Sequence, residues 1–376
     1  MTVAGLIFSN IHDSAIPELT AMRTMASVPF GGRYRLIDFA LSNMVNSDIT
    51  KVGVITHYNY QSLLDHIGNG KDWDLARRSG GIKILPPYIT MFDTTTPGVN
   101  RSRMDALKGA LNFINRCSED YIVMSDCDII CNIDLKAVLE AHEKSGADLT
   151  FVTTEMDAGT LYVQGTVPVV EVDESGRVTD FAEMHPTEGK VTISTNIMVA
   201  TRTYLQSVVQ EATSHGYTSF FKDVIARSLE SANYRAYAYD GVFAKIGSMD
   251  GYFACSMALL DENARRGIWG VSGRPILTKV RNSAPTKYCG NAKITNSVVA
   301  DGCVIEGTVE NSILFRGVKV GKGTVVKNSI LMQDTYTGEN VLLNCVITDK
   351  NVMIKDGRTL SGCETMPFYI GKNGAI

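Results

Sequence analysis

Several features are scarce or missing in this chain, and each absence removes a class of function. Eight cysteines occur in 376 residues, none in a CxxC pair and none with a histidine at ligand spacing. Cys117, Cys127, Cys131, Cys255, Cys289, Cys303, Cys345 and Cys363 are scattered, which favours reduced core thiols over disulfides or zinc. Basic surplus is also missing. Lys and Arg total 36 against 40 Asp and Glu, for a formal charge of −4 and a pI near 5.9, so no positive field is offered to nucleic acid. No apolar run approaches the roughly 18 residues that would cross a bilayer. The start, MTVAGLIFSN, lacks the basic n-region and small-residue cleavage site of a secretory signal. The expectation is a soluble cytoplasmic protein with neither nucleic-acid nor membrane partners.

What is present is enough apolar material for two cores. The chain is 44% hydrophobic at 41.0 kDa, and two domains are expected. The stretch from Ser27 to Ser47, SVPFGGRYRLIDFALSNMVNS, combines a Pro and Gly turn with an apolar-periodic helix that small polar residues close. Strand-like runs flank it at Val3 to Phe8 and Val52 to Thr56, as at the opening of a nucleotide-type α/β domain. Further strands are predicted at Gly81 to Leu85, Tyr121 to Ser125, Leu149 to Thr154 and Ile193 to Ala200. Helices are predicted from Asp105 to Arg116 and from Asp134 to Lys144, the latter with Leu135, Val138 and Leu139 on its apolar face. This alternation implies a mostly parallel, Rossmann-like sheet with ligands at the carboxyl ends of its strands. Pro86-Pro87 and Thr94 to Asn100 (TTTPGVN) mark a long polar loop, of the kind that is functional or mobile.

After a predicted helix from Tyr252 to Arg266 the character changes. A Gly/Pro-marked connector follows, and from Asn291 aliphatic pairs recur every five to six residues: Val298-Val299, Val304-Ile305, Ile313-Leu314, Val325-Val326, Ile330-Leu331, Val341-Leu342, Val346-Ile347 and Val352-Met353. A period near six fits a left-handed parallel β-helix of hexapeptide repeats, with one short strand per face of a triangular coil; an ordinary sandwich of short strands is the alternative. The expected divisions are 1–266, 267–290 and 291–376.

Such an α/β domain followed by a hexapeptide β-helix, with PFGGRYRLIDFALSN near its start, resembles the glucose-1-phosphate adenylyltransferase (ADP-glucose pyrophosphorylase) family. KVGVITHYNYQSLLDHIG, WDLARRSGGIKILPPY and NSVVADGCVIEGTVENSILF extend the resemblance in order and spacing across nearly the whole chain. The resemblance implies a phosphate loop, Mg²⁺-binding carboxylates and a sugar-phosphate site, and each departs from the family pattern.

In the GGxGTRL-like loop, Asn10, Ile11 and Asp13 stand at glycine positions and Ala15 at the arginine; Met25 replaces the lysine of RAKPA. Three side chains thus obstruct the backbone approach to phosphate, and Asp13 adds a negative charge. The GTADA run becomes Ser102-Arg103-Met104-Asp105-Ala106. His12 reads as a plain loop histidine rather than a general base. One metal carboxylate falls among Asp126, Cys127 and Asp128, and the other is replaced by Lys245, whose ammonium would repel a dication. The alternative is a solvent-facing Lys245 with Asp250 as ligand. At the sugar-phosphate site Glu183 is kept, Met184 stands for the phosphate lysine, and the pair Lys222-Asp223 is retained.

Losses at every chemical element on a preserved scaffold resemble the GlgD-type, regulatory branch of that family. The resemblance implies a chain with no cofactor of its own that assembles with a catalytic homologue carrying Mg²⁺ into a heterotetramer; a homo-oligomer of the chain alone is the other form considered. The competing readings are a self-sufficient sugar-nucleotide pyrophosphorylase that uses Asp126 or Asp128 for Mg²⁺, and a hexapeptide acyltransferase. The latter has little support, because the last histidine, His215, precedes the coils. Arg33 and Arg35 are candidates for an effector-phosphate or interdomain contact, with solvated surface arginines as the alternative.

Overall fold

The computed structural model describes residues 1–86, 102–163 and 165–376. The predicted loop over Thr94 to Asn100 therefore lies outside the described residues, as does Pro87.

The first half is built on a nine-stranded sheet. Strands β1 (Val3–Phe8), β2 (Lys51–Ile55), β3 (Gly81–Leu85) and β4 (Tyr121–Asp126) form its parallel core, with β1 between β4 and β2 and β3 outside β2. The expected parallel core is present, with an antiparallel extension. β5 (Leu149–Asp157), β6 (Val167–Val172), β7 (Val178–Met184), β8 (Lys190–Thr201) and β9 (Tyr234–Ala238) follow in the chain. β8 runs antiparallel to β4, β5 and β6, while β9 runs parallel to β5.

The Ser27–Ser47 stretch is a short hairpin and then a helix. Pro29–Phe30 pairs with Tyr34–Arg35 around Gly31 and Gly32, both at positive φ (59° and 84°) that glycine adopts without strain. Helix α1 (Leu36–Asn46) begins as Asp38 accepts a hydrogen bond from the Arg35 N–H at 3.0 Å. It packs so closely on β1 that a Cβ at Gly5 would lie 2.4 Å from Met44 Sδ.

Two helices expected to be continuous are divided. The predicted Asp105–Arg116 helix is Arg103–Gly109 followed by Leu111–Asn115, with Ala110 between them at ψ 0°. The predicted Tyr252–Arg266 helix is Met249–Ala258 followed by Glu262–Trp269. Asp261 starts the second by accepting from the N–H groups of Asn263 and Ala264, which competes with continuation of the first.

The second half is a left-handed β-helix of three parallel sheets with five strands each. Corner residues Asn296, Asn311 and Asn328 have φ of 42°, 45° and 45°, a left-handed conformation that asparagine tolerates, which accounts for their recurrence between aliphatic pairs. One sheet explains why the aliphatics come in pairs. Val299, Leu314 and Leu331 point into the coil, whereas the register-matched column Val298, Ile313, Ile330, Ile347 and Tyr369 packs against Phe30, Phe39 and Tyr252 of the first half. A sheet buried on both faces requires apolar residues at consecutive positions.

A buried ion pair joins the same two halves. Arg23 donates from Nη2 to both oxygens of Asp349 at 2.8 Å, and Tyr369 Oη donates to Asp349 Oδ2 at 3.2 Å. Removing one partner strands a buried charge, so Arg23→Met or Asp349→Asn is expected to cost about 3–5 kcal/mol, and the double replacement less than the sum. Denaturant unfolding of the three variants measures this.

Candidate functional site

Strand β4 ends at Asp126, and the chain turns into the short strand Ile129–Cys131, which pairs with Phe243–Lys245 in the register Lys245 to Ile129. This pairing sets Lys245 beside Asp128. Its Nζ lies 2.5 Å from Asp128 Oδ2, and the Ile246 N–H donates to the Asp128 carbonyl at 2.7 Å. Lys245 is 8% exposed, so a solvent-facing lysine is excluded. Of the three residues 126 to 128, side-chain direction sets one aside. Cys127 enters the hydrophobic core, whereas Asp126 and Asp128 both come within reach of His12.

Asp126 has its own cation. Arg103, in the first turn of its helix, donates from Nη1 and Nη2 to Asp126 Oδ1 and Oδ2 at 2.8 and 2.7 Å, a bidentate fork. Its guanidinium lies over the rings of Phe8 and Phe221, 4.9 and 5.2 Å from their centroids, which holds the fork in place. His12 Nε2 is 2.8 Å from Asp126 Oδ2, so His12 is no plain loop histidine, contrary to expectation. Complete burial pushes the Asp126 pKa up, but the Arg103 charge and then the hydrogen bond with His12 overcome it and hold the carboxyl well below the usual range.

This arrangement tests the dication that the fold family implies. Each carboxylate already faces a fixed cation, Arg103 on Asp126 and Lys245 on Asp128. A metal ion there would meet two positive groups within a few ångströms, and the residues present do not fit one.

The loop after β1, at the position of the family's phosphate loop, is closed on itself. The N–H groups of Asp13 and Ala15 donate to the carbonyls of Asn10 and His12 at 3.2 and 3.0 Å. Asn10 Nδ2 donates to Asp13 Oδ2 at 3.1 Å and its Oδ1 accepts from the His57 N–H at 2.8 Å; Asp13 Oδ1 accepts from the Met25 N–H at 2.6 Å. Met25 itself is buried in the core. Ile11 and Ala15 line a cavity of about 260 Å³, with His12, Arg103, Asp128, Asn196, Lys245 and Glu183 on other walls. Glu183 thus reaches the cavity, 3.7 Å from Lys222 Nζ, while Met184 is exposed. Asp223 accepts from the N–H groups of Thr218 and Ser219 and so braces the neighbouring turn.

Arg33 and Arg35 lie elsewhere, in a second pocket where the two halves meet. Arg33, Arg35, Lys279, Arg281, Arg316 and Lys350 converge there, a concentration of positive charge in an acidic chain. Arg35 is buried and donates to Ser62 O and Oγ at 2.5 and 3.0 Å, so it is no solvated surface arginine; Arg33 is exposed at the rim. Burial lowers the Arg35 pKa to about 10. Burial and then the charges of Arg35 and Arg23 lower that of Lys350 to about 7. Only the two arginines were identifiable from sequence, because the other four basic residues are far away in the chain.

The two halves each match a known family. Residues 16–262 match a profile described as nucleotidyl transferase, and residues 284–364 one described as GlmU-like, C-terminal hexapeptide, which defines the class as a nucleotidyltransferase domain with hexapeptide coils. The glycogen biosynthesis protein GlgD of Bacillus subtilis (strain 168) is 34% identical over 368 residues, covering 98% of this chain and 95% of the relative. Geobacillus stearothermophilus has two relatives, a GlgD 36% identical and a glucose-1-phosphate adenylyltransferase 34% identical, each match covering 86% of this chain and 82% of the relative. The chain belongs to the family that comprises the glucose-1-phosphate adenylyltransferases and the GlgD proteins. Among the described residues, no helix is long and apolar enough to cross a membrane.

The loop carries a pH signature. Burial first, against hydrogen bonds from Met25 and Asn10, raises the Asp13 pKa to about 6. A raised carboxyl pKa contributes stability that is complete below the ordinary range and is lost as pH rises through about 6. Asp13→Asn keeps an acceptor for Met25 and removes the charge. Its stability relative to the natural chain should therefore improve by about 1–2 kcal/mol between acid and neutral pH, after discounting for solvent, as read by denaturation at several pH values.

Proposed function

We propose that this chain is a regulatory subunit of glucose-1-phosphate adenylyltransferase, non-catalytic or very weakly active by itself, serving bacterial glycogen biosynthesis in the cytoplasm. The enzyme converts glucose 1-phosphate and ATP into ADP-glucose and pyrophosphate. In this reading the chemistry and the Mg²⁺ belong to a catalytic homologue, and the two kinds of chain assemble into a heterotetramer. The observation that carries the proposal is the neutralisation of Asp126 by Arg103 and of Asp128 by Lys245. In-line attack on an α-phosphate needs charge neutralisation by a metal at the reacting oxygens, and side-chain cations already committed to carboxylates do not supply it. The self-bonded loop adds to this, since the N–H groups of Asp13 and Ala15 are used internally. The occurrence of both a GlgD and an adenylyltransferase relative in Geobacillus stearothermophilus is consistent with a two-chain arrangement.

A subunit acts on its partner only through contacts that differ between the partner's states. The pocket of Arg33, Arg35, Lys279, Arg281, Arg316 and Lys350 offers an effector anion a place to bias such an equilibrium, because it spans the joint between the two halves.

Two measurements test these readings. Purified chain given ATP, Mg²⁺ and glucose 1-phosphate should release no steady pyrophosphate, and adding it to the catalytic homologue should raise that enzyme's activity; ordinary turnover by the chain alone would favour the self-sufficient enzyme. Sulfate, whose charge is constant near neutrality, should bind more tightly as pH falls through about 7, where Lys350 gains its proton. Lys350→Met should flatten that dependence, as read by calorimetry.

A further inference from the structure

The coils keep a regular repeat until the last one. Ile313, Ile330 and Ile347 stand in one register column at 17-residue intervals, whereas Tyr369, next in that column, follows Ile347 by 22. The extra residues can be placed. Each corner residue ahead of this column donates its N–H to a carbonyl of the coil below: Asn311 to Thr295, Asn328 to Glu310, Cys345 to Lys327 and Gly362 to Asn344. Phe368 then resumes the pattern by pairing with Val346. Residues Cys363 to Pro367 are therefore an insertion at the corner, closed by the mutual hydrogen bonds of Cys363 and Met366 at 3.1 Å.

A second departure falls at the same corner. The left-handed residue is Asn296, Asn311 and Asn328 in three coils, but in the fourth it is Cys345, at φ 51°. Asparagine tolerates that conformation and cysteine gains nothing from it. Asn296 and Asn311 are exposed, whereas Cys345 is 5% exposed, with Gly362 packed so closely that a Cβ there would lie 2.7 Å from the Cys345 carbonyl. Cys363 is the next residue. A strand spacing of ~4.8 Å combined with a step of ~3.8 Å along the chain puts the two cysteine Cα atoms about 6 Å apart, within the span of a disulfide.

Both are free thiols, and they differ in character. Cys363 is exposed, with Thr365 Oγ1 3.5 Å from its sulfur; that hydroxyl first, and then the Met366 backbone, lowers its pKa. Burial raises the pKa of Cys345. The pair thus has an accessible attacking thiolate and a shielded thiol that only its neighbour reaches.

We infer that Cys345 and Cys363 form a reversible disulfide that fastens the inserted hairpin to the coil corner, with a small disulfide such as glutathione disulfide as oxidant. The Cys363 thiolate attacks one glutathione sulfur, the S–S bond breaks and one glutathione thiolate leaves. Cys345 then gives its proton to solvent, attacks the Cys363 sulfur and expels the second glutathione. Two protein thiols are oxidised and one small disulfide is reduced to two thiols. The insertion runs directly into Phe368 and Tyr369, whose hydroxyl donates to Asp349 at the joint between the halves, so the bond restrains the strand that meets that joint.

The test scores thiols and not turnover, so it stands apart from the regulatory reading. Full-length reduced chain is equilibrated with glutathione disulfide, denatured, alkylated and digested with trypsin, and the peptides are weighed. Peptides 328–350 and 359–372 should appear linked in protein that runs as a single chain without reductant. Cys345 should become at least about tenfold less open to alkylation, and dithiothreitol should restore it. Cys345→Asn, which returns the corner to the residue of the other coils, should leave Cys363 as a mixed disulfide with glutathione. Full alkylation of Cys345 in the natural chain, a bond between two chains, a bond from Cys345 to another cysteine, or a Cys363 that stays free in the variant would each overturn the inference.

Discussion

Two carboxylates buried at the end of a central strand require positive charge beside them, and that charge can come from a dissociable ion or from the chain itself. A dissociable ion leaves an open coordination sphere for substrate oxygens; a tethered guanidinium and ammonium fill the same electrostatic need and close it. Arg103 and Lys245 take the second course. Around this pairing the strand bearing Lys245 is joined to Ile129–Cys131, and the loop ahead of Pro17 turns its polar groups on one another.

The second constraint is the sheet of coils that is buried on both faces. Its outer column is continuous with the core that contains Phe30, Phe39 and Tyr252, so the Ser27–Ser47 stretch is clamped between the α/β sheet and the β-helix. The basic pocket opens beside this clamp. Lys350 follows Asp349, the partner of Arg23, and Arg23 lies two residues before Met25, whose N–H holds Asp13. A short run of neighbouring groups thus links the joint between the halves to the self-bonded loop after β1.

Much of this was legible in the sequence because it was periodic. The strands of the parallel core, and coil strands such as Val298–Val299 and Ile313–Leu314, are short-range patterns. The division after Ala258 was not, because a single cap at Asp261 outweighed apolar spacing that continued through it. At the site, Lys245 could be recognised as misplaced for metal chemistry, but its partner could not be named. Arg103 showed only as a long side chain where a small one was expected. The missed signal was compensation: two new cations in a chain that keeps two acidic residues flanking Cys127. His12 escaped because nothing in the residues near it identifies a partner 114 positions away.

The joint between the halves also bears on how the chain reaches its native state. Arg23 waits for a carboxylate 326 residues later, and the Glu18 carbonyl accepts from Tyr369 across 351 residues. Throughout synthesis the first half exposes the apolar surface that Ile330, Ile347 and Tyr369 will cover. Contacts of such long sequence separation form late, so the first half carries an apolar face until the coils have been made. The interface between the two halves therefore waits for the coils, and until it forms that apolar face is open to aggregation or to capture by a neighbouring polypeptide.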